Sequence, residues 1–261
     1  MTGRVRIDTH LVIKDYPDPA ACQAALANYR ILASLNSSTL IPNLLAADDT
    51  RLTFARLPGR AAEPADLPQV AEALGRLDRA AQRAMPQAVD QNRALIFGGT
   101  TIPGFANRRH QRLLDLLTVP DTGCLLAARD VDRLFAEASR RPAALYKDAN
   151  PRNFLIHPPA PVAIIDFDDL TLAPFGYELA KLVVTLAMTH GPLPATLIET
   201  ALRAYNRAAA GPDGAAAACP PRRLRMFCEL HHLLTADYLG RNGYRHPWPQ
   251  VRSWTDLEGH R

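Results

Sequence analysis

The 261 residues carry 48% hydrophobic and 21% charged side chains and a net charge of +4, the balance of a soluble globular chain able to build one large domain or two lobes around a cleft. No apolar run approaches the roughly 20 residues of a membrane helix, and the first residues lack the apolar core of a secretory signal. The charge is mild and no basic run is interleaved with aromatics, so neither a membrane nor a nucleic-acid partner is expected.

"RVRIDTHLVIKDY" alternates apolar and polar residues around an Asp-Thr-His break and predicts a β-hairpin. "DPAACQAALANYRILASL" predicts a helix capped by Asp18, with Pro19 in its first turn and an apolar face at 25, 26, 29, 32 and 35. "LIPNLLAADDTRLTFARL" reads as two strands joined by an Asp-Asp-Thr turn. Residues 1–57 therefore predict a small β-β-α-β-β lobe, and "PGRAAEPADLP" a hinge. Residues 58–261 change character. An amphipathic helix, "LPQVAEALGRLDRAAQRAM", is followed by an irregular stretch over 86–108 and by helices near 109–118 and 128–140. Short strands follow in "AALYKD", "NFLIH" and "PVAIIDF", then helices over 176–210 and 221–241, split by "AAAGPDGAAAAC". The whole predicts a two-lobed α+β protein.

The polar groups between the short strands carry the functional argument. Asp148 and Asn153 share one loop, and Asp166, Asp168 and Asp169 follow the next strand. Alone, Asp148 and Asn153 are ordinary turn formers. With Asp166 at a neighbouring strand end they make a cluster of hard oxygens suited to Mg²⁺, which binds one or two carboxylates together with phosphate oxygens and water. A carboxylate left off the metal can take the proton of a hydroxyl. That combination fits phosphoryl transfer, which needs positioning and charge neutralisation above all. Lysine is scarce, with only Lys14, Lys147 and Lys181, so each merits attention. The four cysteines, Cys22, Cys124, Cys219 and Cys228, show no CxxC spacing and read as reduced thiols of a cytoplasmic protein. His231 and His232 lack a ligand partner one turn away and read as packing residues, and Trp248 and Trp254 as caps on the core.

"YKDANPRNFLI" followed by "IIDFDDLTLAPFGYELA" resembles the catalytic signature of the protein-kinase-like fold, in the branch of aminoglycoside phosphotransferases and choline kinases. "LVIKDY", "RILASL", "IPNLLAADDTRLTFARLPGR" and "LGRLDRAA" stand upstream in the family's order, so the resemblance spans about residues 10 to 190. It implies a small nucleotide-binding lobe and a larger, mainly helical lobe. It implies Asp148 as the carboxylate that accepts the acceptor's proton, Asn153 and Asp166 as Mg²⁺ ligands with Asp168 in support, and Lys14 on the phosphates of ATP or GTP.

The chain departs from the family pattern at several points. Only thirteen residues precede Lys14, so the glycine-rich phosphate loop is largely missing from the expected lobe. Ala25 stands where a helix glutamate would pair Lys14, and Ala55 where a hinge glutamate is frequent. Tyr146, Lys147 and Arg152 replace a common His and two common glycines, and Lys147 and Arg152 could bring positive charge to the γ-phosphate. The expected activity is transfer to a small-molecule hydroxyl. The rival readings are a pseudokinase that binds without transfer and a metal-dependent phosphohydrolase. Glu229, His232, Asp237 and Arg241 are candidate acceptor contacts, and the seven arginines against four acids in 220–261 favour a neutral or anionic acceptor.

Overall fold

The computed structural model of the protein describes residues 4–35, 37–85, 90–106, 109–138, 143–146, 148–210 and 218–258. Strands β1 (Arg4–Ile7) and β2 (Leu11–Asp15) form the expected hairpin, followed by α1 (Pro19–Ser34), β3 (Leu44–Asp48) and β4 (Arg51–Ala55). The four strands make one antiparallel sheet in the order β1-β2-β4-β3. Asp18 caps α1, its Oδ1 accepting the Ala21 amide at 2.8 Å, and Pro19 sits in the first turn, where its missing N–H costs nothing. Ala25, Leu26, Ile31 and Leu32 of α1 are buried. Tyr29 packs edge-on against Phe54 of β4 and against Phe167, each with ring centroids 5.4 Å apart. Phe167 lies between Asp166 and Asp168, so this packing ties the small lobe to the loop that carries those acids.

The remainder runs β5 (Arg60–Ala61), α2 (Leu67–Ala84), β6 (Leu95–Phe97), β7 (Thr100–Ile102), α3 (His110–Leu117), α4 (Ala128–Ala138), β8 (Ala143–Tyr146), β9 (Phe154–Ile156), β10 (Ala163–Ile164), β11 (Thr171–Pro174), α5 (Tyr177–His190), α6 (Ala195–Ala210), α7 (Pro221–Thr235) and α8 (Trp248–Val251). The stretch expected to be a hinge is ordered. Within it β5 pairs with β9, and Arg60 donates to both carboxylate oxygens of Asp66, at 2.5 and 3.0 Å. The stretch expected to be irregular holds the β6–β7 hairpin, because Gly98 (φ +56°) and Gly99 (φ +77°) supply the two left-handed residues of a tight turn. The helical span after 176 is two helices broken at Gly191–Pro194, and α7 ends at Thr235 in a single 3₁₀ turn, Ala236–Tyr238. Most of the expected Gly/Ala-rich break, 211–217, lies outside the described residues.

Helix α5 is buried from Tyr177 to Met188. Its first turn is pinned from behind: the Gly176 amide donates to the Tyr205 hydroxyl at 2.8 Å, and that hydroxyl donates to Asp78 Oδ2 of α2 at 2.6 Å. Gly176 has φ +90°, and a Cβ there would collide with Cys219 Sγ, so the position requires glycine on both counts. Asp78 is fully buried, and burial pushes its carboxyl up to about 7 against the partial offset of the Tyr205 hydroxyl and the Leu145 amide. All four cysteines are free thiols. Among the described residues no helix is long and apolar enough to cross a membrane.

Candidate active site

Strand β8 pairs with β11, and β9 with β10, so two short hairpin-like pairs end side by side. Asp148 follows β8 and Asp166 follows β10. Both acids hold left-handed backbone, φ +78° and +67°. Aspartate tolerates that region better than most residues, yet it still costs on the order of 1 kcal/mol, which the surrounding bonds must hold in place. Those bonds are explicit. Asn150 accepts the Arg152 amide at 3.1 Å and starts the 3₁₀ turn Pro151–Asn153. The Asn153 side chain donates to the Asp148 carbonyl at 2.9 Å, and the Ile165 amide donates to the Asn153 carbonyl at 2.9 Å. Asn153 thereby links the Asp148 loop to the strand end that presents Asp166.

Helix α5 grips Asp148 from below. Glu178 Oε1 accepts the Asp148 amide at 3.1 Å, and Lys181, one turn on, forms an ion pair with Asp148 Oδ1. Both helix side chains are buried, so the carboxylate is fixed through its backbone and its side chain by one face of a rigid element. Sequence reasoning gave Lys181 no role. The available signal was the scarcity of lysine, because both described lysines pair with acids of this cluster.

Lys14 lies across the other two acids. Its Nζ is 2.6 Å from Asp166 Oδ1 and 2.6 Å from Asp168 Oδ2, and the Tyr16 hydroxyl donates to Asp168 Oδ1 at 3.0 Å. Where a helix glutamate was sought, α1 supplies Asn28, which donates to the carbonyls of Phe167 and Asp168 at 3.0 Å each. The small lobe thus holds the acidic loop directly, and Lys14 neutralises carboxylates that would otherwise repel one another.

Two cavities meet at this row of residues. On the small-lobe side lies a mainly apolar pocket of about 360 Å³, with Val12, Phe54, Leu57 and Leu155 in its wall together with Lys14, Asn153 and Asp166. On the other side lies a polar cleft of about 1010 Å³ with Asp148, Asp168 and Lys181 in its wall. Asn153 and Asp166 line the first pocket, Asp166 with its Oδ1 on Lys14, whereas both oxygens of Asp168 are engaged, one by Lys14 and the other by Tyr16. Among the described residues no group of three His, Cys, Asp or Glu could hold a metal alone. The donor set therefore fits a hard divalent cation that is shared with a phosphate ligand, not one enclosed by the protein.

The other expected positions divide clearly. Arg152 lines the polar cleft, and Lys147 lies outside the described residues. Glu229 is fully buried away from the cleft. Its oxygens accept from the Trp248 and Trp254 indoles (2.9 and 3.3 Å), the Leu125 amide (3.1 Å) and Arg252 (3.2 Å), an arrangement that fastens the tail to α7. His232 Nε2 bonds the Thr122 carbonyl at 3.0 Å. Asp237 and Arg241 are exposed and neither lines the cleft. The residues of this region that line the cleft are His231, Leu234, Thr235, Tyr238, Asn242 and Tyr244, none of them among those expected.

A family profile described as the phosphotransferase enzyme family (APH) matches residues 2–218. No curated protein sequence matches the chain. Among solved structures it resembles a macrolide 2'-phosphotransferase, MphH, from Brachybacterium faecium (TM-score 0.54, 15% identity, 95% of this chain and 91% of that one). It also resembles the choline kinase LicA from Streptococcus pneumoniae (0.56, 12%, 90% and 80%). A third likeness is to the amicoumacin kinase hAmiN, solved with AMP-PNP, Ca²⁺ and Ami (0.54, 15%, 89% and 79%). At these identities the likeness speaks for the fold, the two-lobed protein-kinase-like α+β architecture. The profile match covers most of the chain, and the chain belongs to the phosphotransferase enzyme family.

Proposed function

We propose that the protein transfers the terminal phosphoryl group of ATP or GTP to a hydroxyl of a small molecule. The observation that carries this reading is the bonded row Asp148–Asn153–Ile165/Asp166–Lys14 set between an apolar pocket and a polar cleft. The pocket has the size and apolar lining for a purine base, and Lys14, Asn153 and Asp166 in its wall support a role for them at the phosphates. Asn153 and Asp166 would hold Mg²⁺, which supplies charge neutralisation on the phosphates when bound. Family membership and the AMP-PNP-bound neighbour support nucleotide use.

The acceptor enters from the polar cleft and places its hydroxyl against Asp148. The acceptor oxygen bonds to the γ-phosphorus, the bond from that phosphorus to the bridging β-oxygen breaks, and the hydroxyl proton passes to Asp148. Nucleoside diphosphate and a phosphomonoester leave. Lys181 and Glu178 keep the carboxylate aimed at the acceptor. Arg152, and Lys147 beside Asp148 in the chain, are cations for the transferred phosphoryl group.

One observation favours a second reading, a protein that binds nucleotide without transfer: Lys14 is engaged by Asp166 and Asp168 at once. Incubation with Mg-ATP or Mg-GTP and a panel of hydroxyl compounds, followed by detection of diphosphate and phosphorylated acceptor, separates the two. Transfer to any member supports the kinase. Nucleotide binding without product from any acceptor supports the second reading.

A further inference from the structure

The wall of the polar cleft is unevenly charged. Asp148 is paired with Lys181, and Asp168 with Lys14. Asp169 is then the cleft acid outside any ion pair among the described residues, and it shares the cleft wall with three arginines, Arg109, Arg112 and Arg152. Arg109 and Arg112 stand one turn apart at the start of α3, whose first turn contains no acid. The positive end of the helix dipole disfavours cations there, so the placement is costly unless an anion offsets it. Arg109 is anchored over the Phe105 ring, 4.9 Å from its centroid, and donates to the Phe105 carbonyl at 2.9 Å. The Arg112 guanidinium is exposed and has no hydrogen-bond or ion-pair partner among the described residues.

A second feature points to a ligand independently. His231 lies in the cleft wall and is 3% exposed. Its Nδ1 is 3.1 Å from the Tyr177 hydroxyl, and its Nε2 has no partner. Burial, with Lys181, Arg109 and His232 adding to it, holds the imidazole well below its usual range, so it is neutral. In the tautomer in which the Tyr177 hydroxyl donates to Nδ1, Nε2 carries the proton and is a donor. A buried polar nitrogen without a partner is costly to keep unless a ligand satisfies it.

We propose that the acceptor carries an oxyanion, a carboxylate or a phosphate, which docks on Arg109 and Arg112 at the start of α3, above His231, while its hydroxyl faces Asp148. This names the acceptor class and rests on the transferase reading only for the role of Asp148. The preference excludes polycationic acceptors, because a cation there would meet guanidinium groups in place of carboxylates.

The test uses four compounds on one carbon skeleton, glucose, glucosamine, gluconate and glucose 6-phosphate, with binding measured by ligand-observed NMR on the full chain. The proposal expects gluconate or glucose 6-phosphate, and which of the two tells carboxylate from phosphate, to bind at least tenfold tighter than glucose, and glucosamine more weakly than glucose. Arg112→Ala should remove most of that preference, Arg112→Lys should keep part of it, and His231→Gln should weaken the anion more than it weakens glucose. Equal binding of charged and neutral compounds, including no binding by any, overturns the proposal, as does a preference that survives Arg112→Ala. The Mg-nucleotide is absent from these mixtures. Anion selectivity without any phosphate transfer in the activity assay would therefore sink the transferase reading and leave this one standing.

Discussion

Lys181 forms an ion pair with Asp148 from the buried face of α5, and Glu178 on the same face accepts the Asp148 amide. One helix therefore sets both the backbone and the side chain of the acid assigned to the acceptor's proton. Replacing Lys181 by Met keeps the length and removes the charge. Lys181→Met is expected to lower kcat about 10- to 100-fold, because a base displaced by an ångström loses that much, with the KM for nucleotide nearly unchanged. Steady-state kinetics varying each substrate in turn reads the split; a change in nucleotide KM alone would place Lys181 elsewhere.

Lys14 neutralises Asp166 and Asp168 together. Lys14→Met leaves two half-buried carboxylates facing each other and is expected to cost about 2 kcal/mol of stability, less than a fully buried pair because both acids reach solvent. Added Mg²⁺ should raise the melting temperature of this variant more than that of the wild type. Differential scanning calorimetry with and without the cation makes the comparison, and an equal response in both proteins would contradict the placement.

Much of this arrangement was legible in the sequence. The alternation before Lys14, the Asp18 cap and the order of short strands around Asp148, Asn153 and Asp166 are local signals, and the structure keeps them. The wall of the polar cleft was not legible. Helix α7 is buried on nearly all sides from Leu224 to Thr235, so no polar stripe reveals which face meets the cleft, and Glu229 and His232 were chosen where His231, Leu234 and Thr235 lie. Lys181 stands out in the sequence only as a scarce lysine, without a role, for a related reason: a helix buried all round hides a charge among packing residues. The β6–β7 hairpin was overlooked although its Gly98-Gly99 turn is a recognised signal, because each strand is only three residues long.

Asp78 provides a pH test. Its carboxyl titrates at about 7 in the fold against an ordinary 3.8. Below 3.8 it is protonated in both states. Between 3.8 and 7 the folded state keeps a proton that the unfolded chain has lost, so stability falls as pH rises, and above 7 the loss is complete. Asp78→Asn can still accept from Tyr205 and carries no charge. The variant should therefore gain on the wild type by roughly 1–4 kcal/mol between pH 5 and pH 8. Urea denaturation at both pH values gives the difference, and a gap that does not widen with pH would refute the assignment.

Glu229 serves the tail, with Trp248, Trp254, Leu125 and Arg252 as its partners. Glu229→Ala leaves Arg252 and two indole donors without an acceptor and is expected to cost about 3–5 kcal/mol, whereas Glu229→Gln should cost less. The choice among acceptors should be the same in Glu229→Gln as in the wild type. Altered acceptor preference at unchanged stability would return Glu229 to the substrate site.

The central claim is that Asp148 takes the acceptor's proton while Asn153 and Asp166 serve the nucleotide. Asp148→Asn, assayed for phosphate transfer and titrated calorimetrically with Mg-ATP, tests it most directly. The account predicts that transfer falls by at least about 100-fold while the affinity for Mg-ATP stays within a factor of about 3, a difference below 1 kcal/mol. Full transfer by the variant, or loss of nucleotide binding equal to the loss of transfer, would contradict it.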